Sequence, residues 1–396
     1  MSPRSFDKHS ALAFILAFGI VSLFADAAYE GMRGITGPYL ALLGASGTAV
    51  GIIAGSGELF GYVLRLASGR IADRTGAYWG IALTGYVVQM AAVPAMALTG
   101  AWWAAAALII LERTGKAIRN PAANFMMSRA GEKIGQGWAF GLHEALDQTG
   151  ATLGPLIAAG VLWLRGDYRL AFAWLLVPAL AALSVLVLAR FRFPRPQDLE
   201  VNTTAPAVPH GRRDLLRFFI ATALIAAGYA DFPLIAFHLA REHVIATGVI
   251  PVLYALGNVM AGAAALWLGH AYDRRGLRVL IHATLVPALF APLVMLGGAW
   301  AAVAGMVLWG IGFGAHDTLL RAAVADRVDK SQRASVLGAF NAFYGVAWFA
   351  GSALLGLLYD IDPRWLVAMS LVLQWSACLV LLGLESPRNA SPAATP

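Results

Sequence analysis

Charge is scarce in this sequence. Only 13% of its 396 residues are Asp, Glu, Lys or Arg, against roughly 25% in a soluble globular chain. With 59% hydrophobic residues and a mean hydropathy of +0.68, a water-soluble fold has too little core to hide the apolar surplus. Cysteine is nearly absent too. Cys378 stands alone, so no internal disulfide can form. Neither G-x-S-x-G nor H-E-x-x-H occurs, which removes the common hydrolase constellations. No Gly-rich phosphate loop is present, which argues against ATP-driven transport. The longest polar stretch is a linker of 23 residues, too short for a receptor's output domain.

What is present is a series of apolar runs. They fall near residues 11–33, 47–68, 79–98, 101–122, 138–164 and 168–189, then near 214–240, 248–269, 278–298, 300–322, 334–358 and 363–384. Most approach the ~20 residues that cross a bilayer as helix. The expected fold is all-α and membrane-integral, with twelve transmembrane helices in two six-helix bundles. Residues 1–190 form the first bundle, 191–213 a cytoplasmic linker, 214–385 the second bundle, and 386–396 a polar tail. The first run is too long for a signal peptide and lacks a small-residue cleavage site, so it reads as the first span.

Basic residues orient this arrangement. With both termini in the cytoplasm, 21 of the 29 Lys and Arg fall on the cytoplasmic side and four on the opposite side. That bias follows the positive-inside rule. The formal charge of +7 is therefore a topology signal, and nucleic acid is not needed to explain it. Short loops and a bilayer partner point to a multi-pass protein of a cell's inner membrane.

The two halves repeat. Gly69, Asp73, Arg74 and Gly76 follow the second run, and Gly269, Asp273, Arg274 and Gly276 follow the eighth, 200 residues later. Glycine permits a tight turn between helices there, and Asp can accept from Arg or helix N-terminal amides. These G-x-x-x-D-R-x-G loops, with the six-plus-six layout, resemble the major facilitator superfamily over essentially the whole chain. The resemblance implies two bundles rocking around a central cavity, and a conformational lock at Asp73 and Asp273. Ala77 and Tyr78 replace the basic pair that usually ends the family's first loop. Gly141, Gly150, Gly154 and Pro155 resemble the fifth-helix signature of the family's antiporters, although Ala158 and Ala159 replace its final glycines. Small-residue helix packing accounts for the same stripe. Arg113 and Lys116 resemble part of the fourth-helix signature, which implies a role in proton transfer for Arg113.

Ionisable residues at membrane depth are costly and mark function by default. They concentrate in the first half. Asp26, Glu30 and Arg33, then Glu58, Tyr62 and Arg65, then Glu112, Lys116 and Arg119 each follow i, i+4, i+7 spacing, which puts each triplet on one helix face. His143 and Asp147 repeat the pattern, with Glu144 beside them. Two readings stand: a self-satisfied ion-pair network, or a wet interior whose carboxyls bind and release protons. A carboxyl whose cation partner moves between conformations would do the latter, and Glu58 is placed to do so. His143 and Asp147 also have metal-ligand spacing, but no Cys or Met cluster lies near them and Glu144 faces elsewhere, so no metal or cofactor is expected.

The second half is plainer. It carries Asp231, His238, His316 and Asp317, with Asn258 where the offset places Glu58. Tyr229, Phe232, Tyr254, Phe340, Tyr344 and Trp348 could line an aromatic wall. Together these features suggest a secondary transporter, not an enzyme. It would exchange protons for a small cationic or zwitterionic organic solute and export it, one chain forming a complete pathway. The alternative is a symporter or uniporter importing an anionic metabolite on the Arg and Lys residues. A transporter-like receptor or membrane enzyme comes third.

Overall fold

A computed structural model describes residues 8–131, 136–194, 212–325 and 330–384. Most of the expected linker, and the polar tail, lie outside the described residues. Every regular element among the described residues is helical. The first half holds α1 (Lys8–Leu42), α2 (Gly47–Thr75), α3 (Tyr78–Ala95), α4 (Trp102–Gly131), α5 (Gln136–Arg165), α6 (Tyr168–Trp174) and α7 (Leu176–Arg192). The second holds α8 (Arg212–Gly228), α9 (Phe232–Arg241), α10 (Ile250–Arg275), α11 (Leu277–Leu285), α12 (Phe290–Leu296), α13 (Ala299–Ala325), α14 (Lys330–Ile361) and α15 (Pro363–Leu382).

Three pairs of short helices are single spans broken inside: Tyr168–Arg192, Asp214–Arg241 and Leu277–Leu296. Proline explains each break, because it has no N–H for the carbonyl four residues back. Pro178 deprives Trp174, Pro233 deprives Tyr229 and Pro287 deprives Ala283. Among the described residues, ten stretches are long and apolar enough to cross a membrane. The other two helices of spanning length, α4 and α5, are the ones interrupted by charge. Leu98 and Trp300 are each 87% exposed, as apolar side chains facing lipid would be.

Two helices outrun their apolar runs. α1 continues past Arg33 to Leu42, and α4 continues past residue 122 to Gly131. Both charges are consequently interior. Arg33 is buried, and so is Arg119.

Contacts divide the described chain into two compact units. Unit 1 holds α1, α2 from Ser56 onward, α3 to α7, α9 and α10 as far as Ala255. Unit 2 holds Gly47–Gly55, α8 through Asp231, α10 from Leu256, and α11 to α15. In unit 2 the Asp360 carboxylate caps the start of α2, accepting from the Gly47 and Thr48 amides at 2.8 and 2.7 Å. The repeated turns have one geometry in both units. Gly76 and Gly276 sit at φ of 64° and 60°, which favours glycine. Each donates its N–H four residues back, to Ala72 and Tyr272 at 2.9 and 2.8 Å. The side chains of Asp73 and Asp273 lie outside the described residues.

Candidate functional site

Unit 1 brings the polar stripes of α1, α2 and α4 into one chain of contacts. At its centre is Arg119 on α4. Its Nε donates to Gln89 Oε1 at 2.6 Å, and one Nη donates to the Tyr86 hydroxyl at 2.8 Å. Its other Nη lies 3.7 Å from the Asp26 carboxylate. Gln89 in turn donates to Glu112 at 2.7 Å. Glu112 lies 3.6 Å from Arg113 Nε, and Arg113 lies 3.4 Å from Glu58. Arg33 approaches the same Glu58 oxygen at 3.9 Å. Charges so deep in a low-dielectric interior are costly unless paired; here each charge faces an opposite one, although Glu112 Oε2 has an ion-pair partner and no hydrogen bond.

The other end of the network is acidic. Asp26 of α1 and Asp147 of α5 lie within electrostatic reach of each other, and the Ser22 hydroxyl donates to Asp147 at 2.5 Å. Lys116 donates to the Tyr29 hydroxyl, its Nζ 3.8 Å from the centre of that ring. The Tyr254 hydroxyl donates to Glu30 within the same unit. His143 is half-buried one turn from Asp147. The Tyr62 side chain lies outside the described residues.

The α5 stripe divides by position. A Cβ at Gly150 would stand 2.1 Å from the Leu23 carbonyl oxygen, and one at Gly154 would stand 2.2 Å from that of Ala27. These two glycines let α1 and α5 touch backbone to backbone, and Pro155 packs against Gly34 on the same seam. A Cβ at Gly141 would meet nothing within 4 Å. That close crossing brings Ser22 and Asp26 to Asp147.

Unit 2 builds its polar site from a helix break. Residues 229–231 leave helical geometry between α8 and α9. The freed carbonyl of Gly228 accepts from Ser370 at 2.6 Å and Gln374 at 3.2 Å, and that of Ala230 accepts from Trp309 Nε1 at 3.0 Å. Irregular backbone at membrane depth requires such partners. The Asp231 carboxylate accepts from Trp348 Nε1 at 2.7 Å. On α14, Phe340, Tyr344 and Trp348 stack in sequence with centroids 5.7 and 5.6 Å apart, and Tyr229 follows 6.1 Å from Trp348. Four of the six aromatics in the expected wall thus form one ladder. Phe232 and Tyr254 stack on each other in unit 1, centroids 4.1 Å apart.

Several participants escape a reading of the sequence. Gln89, the fully buried hub beside Arg119, is an amide inside an apolar run, a weak but real signal. Tyr29, Tyr86, Ser22 and Gln374 carry no spacing pattern. The break at residues 229–231 was foreshadowed by Gly228 and Pro233.

Comparison with known proteins agrees with this architecture. An uncharacterized protein of Mycobacterium tuberculosis is 38% identical over 388 residues, covering 96% of this chain and 95% of the relative. The class B tetracycline resistance protein of Escherichia coli is 32% identical over 119 residues, 30% of this chain and 29% of that protein. The crystal structure of the nucleoside transporter NupG, in a mutant form, superposes with a TM-score of 0.76 at 14% identity, covering 94% of this chain and 100% of that one. A peptide transporter POT in complex with sulfate gives 0.75 at 15% identity, covering 94% and 93%. A family profile for the Major Facilitator Superfamily matches residues 10–352 and 218–395. That match spans nearly the whole chain, and with it the protein belongs to the major facilitator superfamily, a multi-pass secondary transporter of a small-molecule substrate and not an enzyme.

Proposed function

We propose that this transporter exports a small cationic or zwitterionic organic solute in exchange for protons, and that Asp26 and Asp147 carry the proton. The supporting observation is the proximity of these two carboxyl groups beside Arg119, whose guanidinium lies 3.7 Å from Asp26. Two neighbouring carboxyl groups disfavour joint ionisation, so the pair can take up one proton and lose it when the Arg119 guanidinium or Lys116 draws nearer. Glu58 lies between Arg33 and Arg113 and serves in this reading as their fixed counter-ion. The solute is recognised at the helix break of unit 2, where Asp231, Trp348 and Tyr229 offer a carboxylate and aromatic faces suited to a cation. The partial likeness to a tetracycline resistance protein supports export.

Residues 1–190 and 214–385 act as the two moving bundles. The turns holding Gly69, Asp73, Arg74 and Gly76, and Gly269, Asp273, Arg274 and Gly276, act as locks between conformations. Both termini face the cytoplasm, and one chain suffices.

Everted membrane vesicles, acidified inside and followed with a pH-sensitive dye, test the reading. Organic cations are expected to collapse the gradient in a protein-dependent way, and organic anions and sugars are not. Collapse by anions alone, or none with any cation panel, would overturn proton-coupled export and favour import of an anionic metabolite.

A further inference from the structure

The cytoplasmic end of α10 turns back into α11 at Gly276, and α13 packs beneath the corner. A cavity of about 810 Å³ opens there, lined by residues of unit 2 alone. One end of its lining is basic: Arg274, Arg275 and Arg278 are all exposed, and so is His282 one turn further on. The other end is apolar and faces outward, with Trp267 72% and Val286 50% exposed. Eight residues of helix separate Arg278 from Val286, a distance of about 12 Å at the α-helical rise. The wall therefore changes from cationic to apolar over the depth of a lipid headgroup and its upper acyl chain. Trp267 lies where an indole favours the membrane interface. His282 Nδ1 is engaged with the Arg278 carbonyl at 2.7 Å, leaving Nε2 for a ligand.

We propose that this cavity is a binding site for an anionic phospholipid whose headgroup is a singly charged phosphodiester, phosphatidylglycerol being the simplest. Guanidinium groups grip phosphodiester oxygens with paired N–H donors, and basic pockets between transmembrane helices suit such headgroups. A zwitterionic lipid fits poorly, because its ammonium would sit among three guanidiniums. A free phosphate would leave the apolar half of the cavity unused.

The test is native mass spectrometry of the full chain, purified in detergent and titrated with phosphatidylglycerol or phosphatidylcholine. Wild type is expected to retain phosphatidylglycerol at least tenfold better. Arg275→Gln with Arg278→Gln is expected to lower that preference about 10- to 30-fold, as for two basic contacts at a membrane surface. Equal retention of the two lipids by wild type, or an unchanged preference in the double variant, would overturn the site. Displacement of phosphatidylglycerol by equimolar glycerol 3-phosphate would do so too, since the pocket would then be a plain anion site. Should the double variant fail to fold, wild type labelled with a photoactivatable phosphatidylglycerol decides. Crosslinks concentrated in residues 267–286 support the site, and crosslinks spread evenly over the lipid-facing helices overturn it.

Discussion

The same glycine-closed turn ends a helix in each unit, yet the units bury polarity in opposite ways. Unit 1 buries ions: Asp26, Glu30, Arg33, Glu112 and Arg119 are all nearly inaccessible. Unit 2 relies mostly on neutral groups, using Ser370, Gln374 and Trp309 to satisfy the backbone of a broken helix. Where unit 1 has Glu58, the 200-residue offset places Asn258 in unit 2. A buried neutral donor keeps its worth when a proton moves nearby, whereas a buried ion pair changes energy sharply. Under the proposed function, this difference corresponds to energy coupling in unit 1 and recognition in unit 2.

The strongest test of that division compares two aspartates. Asp26→Asn should reduce proton-driven transport in everted vesicles to the level of vesicles without the protein, with solute binding retained. Asp231→Asn, whose amide oxygen can still accept from Trp348, should leave proton coupling intact and weaken binding of an organic cation about 10-fold. Reversed outcomes would exchange the roles of the two units.

Stability should follow the same asymmetry. Arg119→Leu strands Asp26 and removes a donor from both Gln89 and Tyr86, at a cost of about 3–5 kcal/mol. Trp309→Phe in unit 2 leaves one carbonyl unsatisfied, at about 1–3 kcal/mol. Thermal melting of the detergent-purified variants compares them, and equal losses would show that unit 1's network carries no special weight. Gly154→Ala should cost about 1–3 kcal/mol by overpacking the α1–α5 seam, while Gly141→Ala should melt like wild type. Among the destabilising variants the smallest effect is expected at Asp360→Ala, which uncaps α2 for about 0.5–2 kcal/mol and should leave proton-driven transport unchanged.

The spans were legible because hydropathy is a local property: a run such as 79–98 announces itself whatever it packs against. Interior charges blurred the ends. Arg33 and the charges of the fourth run made α1 and α4 read short. The stripe Asp26, Glu30, Arg33 was legible as one helix face, but its pairing was not. Ser22 meets Asp147 across 125 residues, and Tyr254 meets Glu30 across 224.

Composition, the apolar runs and the two repeated turns by themselves determined an all-helical membrane transporter with its charge in the first half. Each depends on residues a few positions apart, or on the solvent that a stretch of chain can tolerate. Which carboxyl meets which cation was decided only in three dimensions. Those choices depend on helices crossing closely enough, as at Gly150 and Gly154, to bring distant side chains within hydrogen-bonding reach, and helix crossings leave no periodic trace in the chain.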